Sequence, residues 1–395
     1  MTDTYKGTKL TWTALPTKED FVSYRVYRSI NDDTINEKNL SINAFVISNM
    51  ADVESNNFLD NNQSFGTFPN NSFYRIEAVF KNRSIWSKNV LLVDKTEKIN
   101  ETFSTIYTDK ETSKLYMYNS DAEVVKIYDL EKQKLLDTKL NLTTNFVLDD
   151  VAFGTFNGRR EMYAIHIDEM QIYDANTFEL IKTIDLGRNV SKMIVGKNNM
   201  LYLSLKDNLY SVMSFDRSTE TKSLHKQITN GVYFTLMYLP LKNKLVALYP
   251  NFSQSTLNYL DLSDDGKTII SSTPKVFLGA KLLNTNSKSL INYLSNNETF
   301  VIGNQISFFD KDFKFLNTQT QDFNGEYDNY IVLNNDNIIA VRESDRSIRQ
   351  INSKGTITEK LIIKHFPRQI ISINDKKWIV YSIKSDDTYI EKFEF

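Results

Sequence analysis

The feature that most constrains the fold is a phrase repeated along the last three quarters of the chain. Its clearest copy is residues 161–187, EMYAIHIDEMQIYDANTFELIKTIDLG. Residues 162–167 form an apolar and aromatic run, Asp168 and Glu169 turn the chain, and residues 170–173 return it. Asp174, Ala175 and Asn176 turn it again, and residues 178–186 make a third run. Short apolar runs bounded by polar turn residues predict antiparallel strands. The second turn recurs at Tyr128-Asp129, Tyr173-Asp174, Phe215-Asp216, Leu260-Asp261, Phe309-Asp310 and Ile351-Asn352, with spacings of 45, 42, 45, 49 and 42 residues. A seventh copy is expected with strands over 368–373, 377–382 and 388–395.

A period of roughly 40–50 residues is that of propeller blades, each a four-stranded sheet that buries its faces against its neighbours. Residues 96–395 hold about seven such units. The seventh copy lacks a fourth strand, and a segment near 97–103 is placed to supply it, which would close the ring and remove an exposed sheet edge. The apolar-x-Tyr/Phe-Asp signal resembles the seven-bladed propellers of the quinoprotein amine dehydrogenase and YVTN type. The copies lack the Trp-Asp and Gly-His dipeptides of WD-repeat proteins. Asp129, Asp174, Asp216, Asp261 and Asp310 are expected to cap turns through neighbouring backbone amides.

Residues 1–95 have a different rhythm. KLTWTAL (9–15), FVSYRVYRSI (21–30), AFVI (44–47), FLD (58–60), FYRIEAVF (73–80) and SIWSKNVLLV (84–93) read as short alternating strands of a small β-sandwich. Their order and spacing resemble a fibronectin type III domain. The resemblance places Trp12 in the core, Tyr24 and Val26 on the central strand, and Ile76 and Ala78 in the penultimate strand. It departs at Ser72, where the family usually has its corner tyrosine, and the first strand is short or missing. The expected fold class is therefore all-β: an immunoglobulin-like sandwich at 1–95 followed by a seven-bladed propeller at 96–395.

Composition excludes several functions. A formal net charge of -2 lacks the basic surplus of a nucleic-acid binder. The chain has no cysteine, so thiolate nucleophiles, disulfides and thiolate metal sites are out. No apolar run reaches the ~18 residues of a membrane helix, and the N-terminus has no signal-peptide pattern. The abrupt strand-like start predicts an extracytoplasmic protein, periplasmic or on a bacterial cell surface, whose signal peptide is not part of this chain. Three histidines, His166, His225 and His365, lie in separate copies without metal-ligand spacing. No phosphate loop or nucleophile elbow occurs, and no cofactor is expected. SDDGKT at 263–268 departs from the sialidase Asp box in its Ser-to-Gly spacing, has Ile269 where the box has Trp, occurs once, and is expected to be a hairpin turn.

The site is expected where loops join one blade's outer strand to the next blade's inner strand, together with loops between second and third strands. Arg188, Tyr233, Lys281, Tyr327, His365 and Arg368 are the candidate ligand-binding residues. Aromatic faces beside fixed guanidinium donors suit a glycan or a protein ligand. The leading expectation is a non-catalytic binding or scaffold protein. The alternative is a propeller enzyme, a polysaccharide lyase or glycoside hydrolase, using Asp149 with Asp150 or Glu326 with Asp328. A third reading is an intracellular assembly platform.

Overall fold

The computed structural model describes residues 2–394 except 5–6, 17, 30–33, 41–43, 61–70, 94–95, 143–146, 207–209, 227–234, 250–253, 279–290, 296–297, 304, 313, 319–325, 364, 375–376 and 385. From Glu97 onward the described strands form seven four-stranded antiparallel sheets, here sheets I to VII, spanning 105–141, 150–185, 190–226, 235–278, 291–318, 329–362 and, for three strands of the last, 366–394. Sheet II shows the pattern: Asp150–Phe156, Arg159–His166, Glu169–Asp174 and Leu180–Asp185 each pair with the next. The repeated phrase of the sequence is thus strands two to four of one sheet.

Each sheet buries both faces against a neighbour, because its middle strands are apolar on both sides. Tyr163, Ile165, Met170 and Ile172 of sheet II pack with Val190, Leu201, Leu203, Met213 and Phe215 of sheet III. Alternate residues of the same strands, Met162, Ala164 and Tyr173, face the other way and pack with Tyr116, Val125 and Ile127 of sheet I. Equivalent clusters join III to IV, IV to V, V to VI and VI to VII. A seventh joins Ile371, Ile379, Tyr381 and Ile390 of sheet VII to Ile106, Leu115 and Met117 of sheet I. The packing closes on itself.

The backbone closes with it. Sheet VII takes three strands from the C-terminal end of the chain, and its fourth is Glu97–Ile99, which pairs with Asp387–Glu394. The closing strand is three residues, against the broader 97–103 expected, and Ile99 and Phe103 anchor it in the apolar layer between sheets VII and I. Tyr381 Oη donates to the Phe103 carbonyl at 2.5 Å.

The expected turn caps hold at four of the five aspartates. Asp129, Asp174, Asp216 and Asp310 each accept at least one backbone N–H from residues two to four positions on, and Asn352 does the same in sheet VI. Asp261 does not. Strand Gln254–Leu262 runs past it, so its carboxylate pairs sideways with Lys244 at 2.6 Å. The turn falls instead on SDDGKT, where Gly266 at φ +79 supplies the left-handed position that a Cβ would strain.

Among the described residues up to 93, the strands make two facing sheets. One holds Thr2–Thr4, Gly7–Thr11 and Asn57–Asp60, so a short first strand is present. The other holds Ala44–Met50, Phe21–Ser29 and Asn71–Phe80, with Ser84–Trp86 and Val90–Val93 both pairing to Asn71–Phe80. Leu10, Val26, Tyr74 and Leu92 form the layer between them, flanked by Trp12 and Ile76. A buried ion pair crosses the layer, Arg28 Nη1 to Asp60 Oδ2 at 2.9 Å, and Tyr74 Oη donates to the same oxygen at 2.8 Å. The tyrosine tying these sheets together is therefore Tyr74, two residues beyond Ser72.

Two expectations follow. Ile99→Ala should lower unfolding stability by about 2–5 kcal/mol by opening a cavity at the seam, whereas Ile270→Ala, at a site 67% exposed, should change it by less than about 0.5 kcal/mol; urea unfolding separates the two. Asp60→Ala strips the carboxylate from buried Arg28 and should cost about 3–5 kcal/mol, read in the same way.

Candidate functional site

Strands alternate in direction, so the turn between second and third strands and the connection to the next sheet's first strand lie at the same end of each sheet. Two clusters of charged side chains occupy that end.

The first spans sheets II and III. Asp149 directly precedes the first strand of sheet II. Its Oδ2 accepts the Ile167 N–H at 2.9 Å and lies 3.4 Å from His166 Nδ1, while Lys206 Nζ stands 3.8 Å from Oδ1. Ile167 is a β-branched residue at φ +53, and its carbonyl is held by Val190 N–H at 2.7 Å. A conformation that sterically disfavours such a side chain is thus clamped at both amide and carbonyl. Asp150 reaches the next sheet: its Oδ2 accepts the Met193 N–H at 2.9 Å, and Lys192 Nζ lies 3.4 Å from Oδ1. Burial pushes the Asp150 carboxyl above the usual carboxylate range, against the opposing pull of Lys192 and the Met193 amide. Burial also raises the Tyr107 hydroxyl, and the charges of Asp150 and Asp149 add to the effect.

The second cluster repeats the device at sheets VI and VII. Asp328 directly precedes the first strand of sheet VI, and its Oδ2 accepts the Glu343 N–H at 2.6 Å. The following residue, Asn329, accepts the Ile370 N–H of sheet VII at 3.2 Å, as Asp150 does that of Met193. Glu343 Oε2 pairs with Arg368 Nη1 at 2.6 Å. Burial raises the carboxyls of both Asp328 and Glu343; the Asp328 charge adds to the Glu343 shift, and Arg368 opposes both shifts. Beside them, the Arg346 guanidinium lies 5.8 Å from the centre of the Phe366 ring. Burial lowers the Arg346 pKa, and the positive charge of Arg28 from the N-terminal sheets lowers it further.

The sequence candidates divide accordingly. Arg368 is half exposed in the second cluster, and Arg188 is half-buried in the connection between sheets II and III. Tyr233 and Lys281 lie outside the described residues. Tyr327 is not ligand-facing: it is fully buried among Leu294, Phe308 and Ile338, and Arg349 Nη1 donates to its hydroxyl at 3.3 Å. Residue 327 falls under the turn that Arg349 and Asp345 build, so the side chain points into the layer between sheets V and VI. His365 is likewise buried, its ring stacked on Tyr389 at 3.7 Å and 12°. Sequence proximity paired Asp328 with Glu326, yet strand register brings Asp328 to Glu343, across the hairpin. Among the described residues no group of three or more His, Cys, Asp or Glu is placed to hold a metal ion.

No protein-family model and no curated protein sequence matches the chain. Solved structures do. The chain is similar to the β-propeller domain of Myceliophteria thermophila Cps50 (Swd1), at 12% identity and TM-score 0.54 over 75% of this chain and 99% of that one. It is similar to Kuenenia stuttgartiensis hydrazine synthase, at 11% identity and TM-score 0.55, covering 73% and 94%. It is also similar to virginiamycin B lyase from Staphylococcus aureus, at 12% identity and TM-score 0.56, covering 76% and 99%. At such identities the likeness defines the fold alone. The chain contains a β-propeller.

The doubled device yields a test. A carboxyl whose folded pKa is raised binds its proton more tightly in the folded chain. Asp150 therefore contributes most to stability at low pH, and that contribution is lost as pH rises from about 4, the unfolded value, through the raised folded value. Asn already serves the equivalent position at Asn329. Asp150→Asn should match or exceed the parent in stability at pH 7, with the difference vanishing near pH 3; denaturant unfolding at both pH values checks this.

Proposed function

We propose that the chain is a seven-bladed β-propeller over 96–395, preceded by a fibronectin type III-like sandwich over 1–95, and that it works as an extracytoplasmic binding or scaffold protein. Its ligand is a glycan or a protein, met at the end of the ring that carries the two charged clusters. The observation that supports this most is the rigidity of those clusters. Asp149, Asp150, Asp328 and Asn329 are each fixed by a backbone N–H, two of them from the next sheet. Groups held before a ligand arrives cost little ordering entropy on binding. A β-propeller is also common to many unrelated functions, so the site carries the reading and the fold does not.

One observation favours a second reading, a propeller enzyme acting on a polysaccharide. Asp328 and Glu343, both raised by burial and both beside Arg368, have the environment of an acid–base pair. Turnover of a bound glycan would decide for it.

The first test is a thermal-shift screen against oligosaccharides, with and without calcium. A ligand selective for the folded chain should raise the midpoint in a dose-dependent way, equivalent to about 2.7 kcal/mol at a hundredfold excess over Kd. Replacing Arg188 and Arg368 together by alanine should abolish that response while moving the melting temperature of the free protein by less than about 4 °C. An unchanged response in the double variant places the ligand elsewhere.

A further inference from the structure

The seam between sheets VI and VII carries an arrangement that a protein surface does not need for its own stability. Phe366 opens the first strand of sheet VII and remains 42% exposed, whereas Ile370 and Ile371 of the same strand are buried. Its backbone is fixed by pairing with Ile383, so the ring stands at the end of a strand rather than on a loop. Arg368 lies two residues further along, at a β-bulge where the pairing register shifts between Pro367 and Gln369. Its guanidinium is held by Glu343 at 2.6 Å, and the Glu343 amide is held in turn by Asp328. The Arg346 guanidinium lies 5.8 Å from the centre of the Phe366 ring, and the Arg346 N–H donates to the Glu343 carbonyl at 3.0 Å, so the exposed ring and the Glu343–Arg368 ion pair border the same turn.

The chemistry of that trio is selective. A guanidinium only donates hydrogen bonds and a carboxylate only accepts them, so an ion pair presents both functions side by side. Two adjacent hydroxyl groups match it, since each hydroxyl both donates and accepts. The C–H face of a sugar ring is apolar and flat enough to lie on a phenyl ring. Glu343 and Arg368 neutralise each other in that pair, so it matches hydroxyls rather than a charge on the ligand.

We propose that Phe366, Arg368 and Glu343 form a subsite for a neutral pyranose, with the ring stacked on Phe366 and a pair of neighbouring hydroxyls bridged between Arg368 and Glu343. Asp328 is the positioning residue that orients Glu343. This rests on the binding reading above and names the ligand class for one place on that face.

The test uses the full chain, fluorescently labelled, on an array of immobilised neutral and uronic-acid oligosaccharides, followed by titration calorimetry with the best soluble binder. Binding to neutral saccharides is expected. Phe366→Ala and Glu343→Ala should each weaken it by about tenfold, the size of one lost stacking or charged hydrogen-bond contact, with near-parental melting temperature. Phe315→Ala, another exposed phenylalanine on sheet V, should leave it unchanged. Saccharide binding that survives Phe366→Ala but not the Arg188 and Arg368 pair overturns the subsite and keeps the broader face. Binding confined to uronic-acid chains overturns the neutral-sugar assignment. Absence of saccharide binding overturns the inference outright, and leaves the protein-ligand form of the broader reading standing.

Discussion

The structure depends on one constraint: a four-stranded sheet that is apolar on both faces has no stable existence until both faces are covered. Sheet II illustrates it, with Tyr163, Ile165 and Ile172 turned to sheet III and Met162, Ala164 and Tyr173 to sheet I. Burial of each such side chain is worth about 1.5–3 kcal/mol, but only while the neighbour stays in place. A linear stack would leave two faces wet. A closed set leaves none, which is why the cluster joining sheet VII to sheet I and the pairing of Glu97–Ile99 with Asp387–Glu394 matter beyond their size. The contacts that close the set are also its most distant in sequence, and their loop-closure cost is borne once for the whole ring.

The same strand order gathers the charged connections at one end. Because strands alternate in direction, second-to-third turns and sheet-to-sheet connections collect at one end. There the chain spends polar residues on fixing backbone geometry: Asp149 and Asp328 hold their own turns, and Asp150 and Asn329 reach across to the next sheet. That two sheets use the same pair of positions, once with a carboxylate and once with its neutral isostere, shows that hydrogen-bond acceptance is the structural need. The charge on Asp150 is additional to it. That charge pairs with Lys192 of the next sheet at 3.4 Å.

The opposite end solves a similar problem with buried ion pairs. Glu161 of sheet II takes Arg217 from sheet III at 2.9 Å and accepts from Tyr163 at 2.9 Å, and Asp109 of sheet I is bound by Arg160 of sheet II. These groups are enclosed and mutually satisfied, which makes them staples between neighbouring sheets. The clusters at the other end range more widely in exposure, from Asp150 at 14% to Arg368 at 49% of the side chain.

Residue patterning alone determined the all-β character, the strand period and most of the turn positions, because apolar alternation and Asp-initiated turns are local properties that each segment carries with it. It did not determine which side chains emerge. Tyr327 and His365 share the composition of exposed recognition residues, yet one lies under Arg349 and the other against Tyr389. Nor did it determine that Asp328 meets Glu343 instead of Glu326, or that Tyr74 rather than residue 72 ties the two N-terminal sheets. Those outcomes follow from strand register and from which sheet comes next in the ring. Register and neighbour are long-range facts, set only when every sheet has found the one that covers it.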